Sequence, residues 1–148
     1  RQSACRVNLT RTLKTFTSYW SMRPHDDTGE ILSDEIICNI VAEAGYHGMA
    51  IDLGASDVKK AFELQPLMEK IGLTPLIVAF PKTINSLSDT MKMAKDFGSP
   101  FINVIGQVMP ISVDGMIPII RKWIDMADKI GIPIQFETHR NCIRNDLF

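Results

Sequence analysis

The stretch "VAEAGYHGMAIDL" (residues 41–53) carries the pattern that decides the fold. It reads as the tail of a helix, a glycine at Gly45, and then a β-rich apolar run that ends near Asp52. A glycine suits the left-handed backbone conformation that closes many helices. The stretch therefore predicts a helix that is followed almost at once by a strand.

The same phrase occurs three more times along the chain. It appears as "LMEKIGLTPLIVAF" (residues 67–80), "MAKDFGSPFINVIG" (residues 93–106) and "MADKIGIPIQFETH" (residues 126–139). The spacing between the glycines matches the length of one βα unit. The repeat predicts a chain of βα units whose helices end at Gly45, Gly72, Gly98 and Gly131.

Four helices follow from the apolar spacing and the capping residues. Ser33 precedes two acidic residues, as an N-cap residue does, and is expected to start the first helix. The third helix is expected to begin at Asn85 or Ser86, and the fourth near Ser112 or Asp114. Pro66 is expected to kink or perturb the second helix. The predicted core stripes, in chain order, are Ile36, Ile37, Ile40, Val41 and Ala44; Val58, Ala61, Met68 and Ile71; Leu87, Met91, Ala94 and Phe97; and Ile117, Ile120, Ile124 and Ala127.

The predicted strands are nearly continuous apolar runs, which is typical of a parallel sheet covered on both faces. An earlier strand, "TFTSYWSM" (residues 15–22), raises the count to five strands and four helices in one α/β domain over residues 1–148. Two architectures fit. One is a (β/α)8 TIM barrel, of which this chain would hold the first five units, since a barrel needs about 250 residues. The other is an open, flavodoxin-like five-stranded sheet. Periodicity alone does not choose between them.

Composition narrows the classes of function. The formal net charge of -1 over 148 residues provides no basic surface for nucleic acid, and no apolar run reaches membrane-spanning length. Cys5, Cys38 and Cys142 form no C-x-x-C pair, which argues against a zinc ribbon or a redox dithiol. Cys38 is expected in the core, and a reducing, cytoplasmic location is the default expectation.

Three segments resemble one known family. "GYHGMAIDL", "IIRKWIDMADKIGIPIQFETHR" and above all "FETHRNCIRND" are similar to the sugar isomerase/epimerase superfamily of xylose-isomerase-like TIM barrels. Members often carry G-[FY]-x-G-[IV]-E-[LI] in the second strand and E-x-H-R or E-N-H in the fifth. The resemblance starts near Gly45 and implies that this chain is the N-terminal portion of such a barrel.

The resemblance also implies a divalent metal ion (Mn, Mg, Co or Zn) that is held by carboxylate and histidine ligands from late strands. Glu137 matches the fifth-strand ligand, and further ligands would come from strands six to eight. The chain departs from the family pattern at Asp52, where glutamate is usual, and at Ile105, where many relatives have histidine.

Five residues are candidates for the site. Glu137 and His139 alternate onto one face of the last strand, where they could act in metal binding or proton transfer. Arg140, Asp52 and Trp20 are candidates for substrate binding. Each also has a purely structural interpretation: a salt bridge, a loop anchor, or packing in the core. The segment "RPHDD" (residues 23–27) is interpreted as a loop over the barrel mouth.

The expected function is a metal-dependent isomerase or epimerase that acts on a small carbohydrate or a related polyol. The alternative is a non-catalytic sugar-binding or interaction module built on a partial barrel. A partial barrel would leave open sheet edges, which a natural protein would have to cover by self-association, so a homo-oligomer is a further expectation.

Overall fold

A computed structural model describes residues 13–22, 29–54, 57–110, 112–139 and 142. Strands and helices alternate along it, and a single 3-10 turn (Trp20–Met22) follows the first strand. No helix in these ranges is long and apolar enough to cross a membrane. The elements, in chain order, are β1 (Phe16–Ser18), α1 (Asp34–Glu43), β2 (Gly48–Asp52), α2 (Val58–Ile71), β3 (Thr74–Ala79), α3 (Leu87–Asp96), β4 (Ile102–Val104), α4 (Val113–Ile130) and β5 (Ile134–Phe136).

The five strands form one sheet in which every pair is parallel and the order is β1-β2-β3-β4-β5. The predicted α/β class, with five strands and four helices, is confirmed for the described residues. Each strand pairs with its neighbour in sequence, so the order differs from the 2-1-3-4-5 of a flavodoxin-like sheet. The predicted first strand was too long, because β1 ends at Ser18 and residues 20–22 form the 3-10 turn.

The helix boundaries follow the predicted capping residues. Ser33 and Ser112 accept hydrogen bonds from the N–H groups of Ile36 and Gly115, and so start α1 and α4. The glycines that follow the four helices all have positive φ, between 72° and 84°, as the repeat predicted. The helix α2 runs on through Pro66, so the expected interruption does not end it.

The core lies between the helices and one face of the sheet. Met49, Ile77 and Ile102 from the strands are fully buried there, together with Trp123 of α4. The indole Nε1 of Trp123 donates to the carbonyl of Ile84 at 3.1 Å, which satisfies its polar atom. The other face of the sheet lines cavities and carries a small apolar cluster of Val78, Ile105 and Cys142, packed against Ala50 and Phe80. In the described part of the chain, helices cover one face of the sheet, and the other face lines the cavities.

The predicted helix stripes were partly wrong, because several of their residues are exposed. In α1, Asp34 and Glu35 form ion pairs with lysines of α2, and Ile36 and Ile40 lie exposed on the opposite side of the helix. In α4, the side away from α3 exposes Val113, Ile117 and Ile124, while Met116, Ile119 and Trp123 enter the core. We call these exposed sets the α1 ridge (Ile36, Ile40) and the α4 ridge (Val113, Ile117, Ile124). Val58, at the start of α2, is also exposed.

Candidate functional site

Two adjacent cavities lie where the carboxyl ends of the strands meet, on the sheet face away from the helices. The inner cavity has a volume of about 360 Å³ and is lined by all three residues of β1, by alternate residues of β2, β3 and β4 and their ends, and by Glu137 and His139 after β5. The outer cavity, of about 490 Å³, is lined by the loops that follow the strands. Asp52, Phe80 and His139 line both cavities, so the two form one continuous cleft. Volumes of this size are typical of small-molecule sites.

Glu137 enters the inner cavity because the strand pairing continues one residue past β5. Its N–H donates to the carbonyl of Val104 at 3.0 Å. Side chains alternate along a strand, so Phe136 points towards the helices, where it stacks on Trp123, and Glu137 points into the cavity. The amide Nδ2 of Asn103 donates to Oε2 of Glu137 at 2.7 Å and fixes the carboxylate.

His139 lies two residues further on and lines both cavities, as the predicted common face with Glu137 requires. Its backbone carbonyl accepts a hydrogen bond from the N–H of Cys142 at 3.1 Å, which turns the chain beyond β5. Arg140 lies outside the described residues, and so does the segment 23–27 that was interpreted as a loop over the site.

Asp52 ends β2 at the rim of the cleft. Its Oδ1 accepts a hydrogen bond from the N–H of Gly54 at 2.7 Å, which holds the tight turn after the strand. The loop-anchor interpretation of Asp52 is therefore correct, and the same side chain also lines both cavities.

The two aromatic residues after β1 take different directions. Tyr19 is buried in the core, where its hydroxyl donates to Oδ1 of Asp34 at 2.6 Å. Trp20 is 59% exposed and lines the outer cavity together with Phe80. Trp20 therefore gives the outer cavity an aromatic wall, although it belongs to a 3-10 turn rather than to the predicted strand.

Several lining residues were not predicted from the sequence, among them Asn103, Phe80, Lys82 and Gln107. The sequence does contain a signal for Asn103, because it is a polar residue inside the apolar run "FINVIG" (residues 101–106). A buried amide needs a hydrogen-bond partner, either in the core or in a binding site. The other three lie just beyond strands β3 and β4, at the edge where parallel α/β proteins place their sites.

The described side chains do not fit a complete divalent metal site. Among them, no three His, Cys, Asp or Glu residues come together in a way that could hold an ion. Glu137 offers one carboxylate, and its Oε2 already accepts a hydrogen bond from Asn103. No chemical step is therefore assigned to a metal ion.

The cleft combines a carboxylate, an imidazole, two amides and an aromatic wall. This set can bind hydroxyl groups, stack on an apolar sugar face and transfer protons. Comparison of the chain with protein-family models and with curated proteins found no match. The function is accordingly argued from the cleft itself.

Proposed function

We propose that this chain is an isomerase or epimerase that acts on a sugar or a related polyol, and that its sheet is a sector of a (β/α)8 barrel. One observation carries the proposal: Glu137 and His139 face the same cavity at the carboxyl edge of a sequentially ordered parallel sheet. That edge is where TIM barrels place their active sites.

The outer surfaces of the end helices support the barrel. The α1 ridge and the α4 ridge are apolar, and each lies on the side of its helix that has no described helix beside it. In a closed barrel every helix packs against the sheet and against two neighbouring helices. Its apolar surface therefore extends beyond the side that faces the sheet and includes both flanks. Three further βα units packed on these ridges would complete the ring.

The proposed chemistry is proton transfer next to a carbonyl group. The carboxylate of Glu137 takes a proton from the carbon beside the carbonyl, and the freed electron pair forms an enediol while the carbonyl oxygen accepts a proton from His139. Return of the proton to the neighbouring carbon, while the hydroxyl on the first carbon gives its proton back to His139 and becomes the new carbonyl, gives the isomer. Return of a proton to the other face of the same carbon, while the protonated carbonyl oxygen gives its proton back to His139, gives the epimer. Asn103 keeps the carboxylate oriented, and Trp20 offers a plane for the apolar face of the sugar.

The resemblance to xylose-isomerase-like barrels adds a divalent metal ion (Mn, Mg, Co or Zn) to the expectation, with Glu137 as one ligand. Of such a ligand set, the described residues supply Glu137 and no group of three ligands. Assays with and without added divalent ions and EDTA therefore belong to the test of this function.

The test is incorporation of solvent deuterium into candidate substrates, followed by NMR. A panel of ketoses, aldoses, sugar acids and sugar phosphates is incubated with the protein in D₂O. We expect exchange at the carbon beside the carbonyl with the wild type, and a loss of about 100-fold or more with Glu137→Gln, the scale of general-base contributions. Glu43→Gln, an exposed carboxylate on α1, is the matched control and should exchange normally.

A second candidate function is favoured by Ile105. This residue is buried and lines the inner cavity at the position where many members of the resembled family carry histidine. A sugar that binds without any deuterium exchange would replace the isomerase proposal with a non-catalytic sugar-binding module. Absence of both binding and exchange across the panel would refute both functions.

A further inference from the structure

Lys82 places a positive charge on the wall of the outer cavity. It follows β3 and the buried Pro81, and its exposed side chain lines the cavity together with Trp20, Gln107 and His139. Within the described part of the chain no carboxylate lies within 4.0 Å of its Nζ, whereas Lys60, Lys70 and Lys92 all pair with acidic residues. A cation without a protein partner in a cleft is available to a ligand.

Unlike Lys82, the carboxylates of the cleft have hydrogen-bond partners within the protein. Asp52 is held by the N–H of Gly54 at 2.7 Å, and Glu137 is held by the side chain of Asn103, also at 2.7 Å. Their negative charges are thus stabilised within the protein. Of the three charged residues Asp52, Glu137 and Lys82 in the cleft, Lys82 is the one with no described ion pair or hydrogen bond from its side chain.

The position of Lys82 separates it from the proposed reacting groups. Glu137 and Asn103 line the inner cavity, and Lys82 lines the outer one, while Asp52 and His139 line both. A ligand that spans the cleft would therefore meet the carboxylate at one end and the ammonium group at the other. Trp20 and Phe80 add aromatic surface to the wall of the outer cavity beside Lys82.

We propose that the outer cavity binds an oxyanion, a carboxylate or a phosphate group, at one end of the polyol whose other end lies beside Glu137. This inference rests on the proposed function and narrows its substrate class to acidic or phosphorylated sugars. Lys82 is the specificity-determining residue, because an ammonium group forms short, charge-assisted hydrogen bonds with both kinds of oxyanion. The preference is electrostatic, so it weakens as salt is added.

The test is isothermal titration calorimetry with glucose, gluconate and glucose 6-phosphate as probes. We expect at least one anionic probe to bind about tenfold or more tightly than glucose, which corresponds to about 1.4 kcal/mol. Lys82→Gln should remove this preference, because it should weaken the binding of the anionic probe about tenfold more than the binding of glucose. Lys122→Gln, an exposed lysine on α4 outside the cleft, is the matched control and should keep the preference. The two anionic arms distinguish a carboxylate from a phosphate.

Two other outcomes would overturn the inference. Equal binding of all three probes, or an anion preference that survives Lys82→Gln, would remove the role of Lys82 and leave the isomerase proposal standing. Equal weakening of all three probes by Lys82→Gln would mean that the lysine shapes the cleft without selecting charge. Failure of every probe to bind, together with no deuterium exchange across the full panel, would refute the proposed function itself.

Discussion

At the scale of single residues, burial controls the chemistry of the Cys38 thiol. The side chain lies wholly inside the core beneath α1. Burial raises the pKa of Cys38 to about 11, and the negative charges of Asp34 and Glu35 add to the rise. Since the thiolate is the reactive form, the thiol is inert at neutral pH.

We expect Cys38 to resist iodoacetamide at pH 7.5 in the native protein and to react fully in 6 M guanidinium chloride. Mass spectrometry of the digested protein measures the labelling of each cysteine separately. Native labelling of Cys38 at the rate of a free thiol would show that α1 opens readily from the sheet.

Glu63 and Lys60 provide a pH-dependent contribution to stability on the surface of α2. Lys60 donates to Oε2 of Glu63 at 2.9 Å, and this hydrogen bond and the charge of Lys60 lower the pKa of Glu63. A lowered folded-state pKa stabilises the fold at pH values above the unfolded pKa, and the contribution disappears as the pH falls through the folded value.

We therefore expect Glu63→Gln to lower the urea midpoint slightly at pH 7, with the difference from wild type closing below about pH 4, near the ordinary pKa of glutamate. Urea unfolding from pH 7 to pH 3 measures this. Glu43→Gln, with no described ion pair, should show no such convergence, and a constant offset for Glu63→Gln would contradict the electrostatic cause.

The sequence predicted the orientation of a side chain correctly where that orientation depends only on neighbouring residues. The common face of Glu137 and His139 follows from strand alternation alone, and the structure places both in one cavity. The contact of Asn103 with Glu137 joins residues 34 positions apart, so it depends on the register of β4 with β5, which no local pattern contains.

At the scale of elements, Gly48 pairs with Phe16 of β1 on one side and with Thr74 of β3 on the other. A Cβ atom there would overlap the backbone oxygen of Thr74 and lie 2.5 Å from the ring of Phe16. The backbone of Thr74 is held by its pairing with β2 and cannot move aside without disturbing that pairing. The first and second strand pairs therefore depend on glycine at this position.

We expect Gly48→Ala to destabilise the protein by about 1–3 kcal/mol or more, as overpacked sites do. Gly54→Ala is the control, because its Cβ would meet only the side chain of Phe80, at 2.8 Å, which can rotate away. Urea unfolding compares the two, and equal losses would show that backbone crowding is not the cause.

The helices show what an apolar pattern determines and what it leaves open. Caps and glycines gave the ends of α1 and α4 closely, because each end needs particular local hydrogen bonds. The face of α4 that meets the sheet was assigned only in part: Ala127 is buried as predicted, but Ile117 and Ile124 are exposed, and Ile119 and Trp123 are buried instead. A helix with a wide apolar arc has several stripes of equal periodicity, and only tertiary contacts select one.

At the scale of the whole molecule, the two ridges leave apolar surface at both ends of the row of helices. Ile117 is 42% exposed and Ile124 is 39% exposed. Contiguous apolar surface of this kind promotes association in solution. A substitution that adds charge there removes no core contact, so it should change association and not folding.

We expect Ile117→Lys with Ile124→Lys to keep the melting temperature within a few degrees and to reduce concentration-dependent association. Light scattering coupled to size-exclusion chromatography measures the association. Ile119→Lys, on the buried side of the same helix, should instead cost more than about 2 kcal/mol of stability. Association that persists in the double variant would assign it to another surface.

The sequential strand order has a consequence for how the chain reaches this structure. Every strand pairs with the strand next to it in sequence, so each βα unit meets its partners over short separations along the chain. Such a topology, like a row of stacked repeats, can grow by adding one unit to the next. In the described sheet β1 and β5 each pair with one strand, whereas β2, β3 and β4 each pair with two, and β3 lies in the middle. Within this sheet, folding is thus expected to spread outward from β3, and β1 and β5 are expected to be held least firmly.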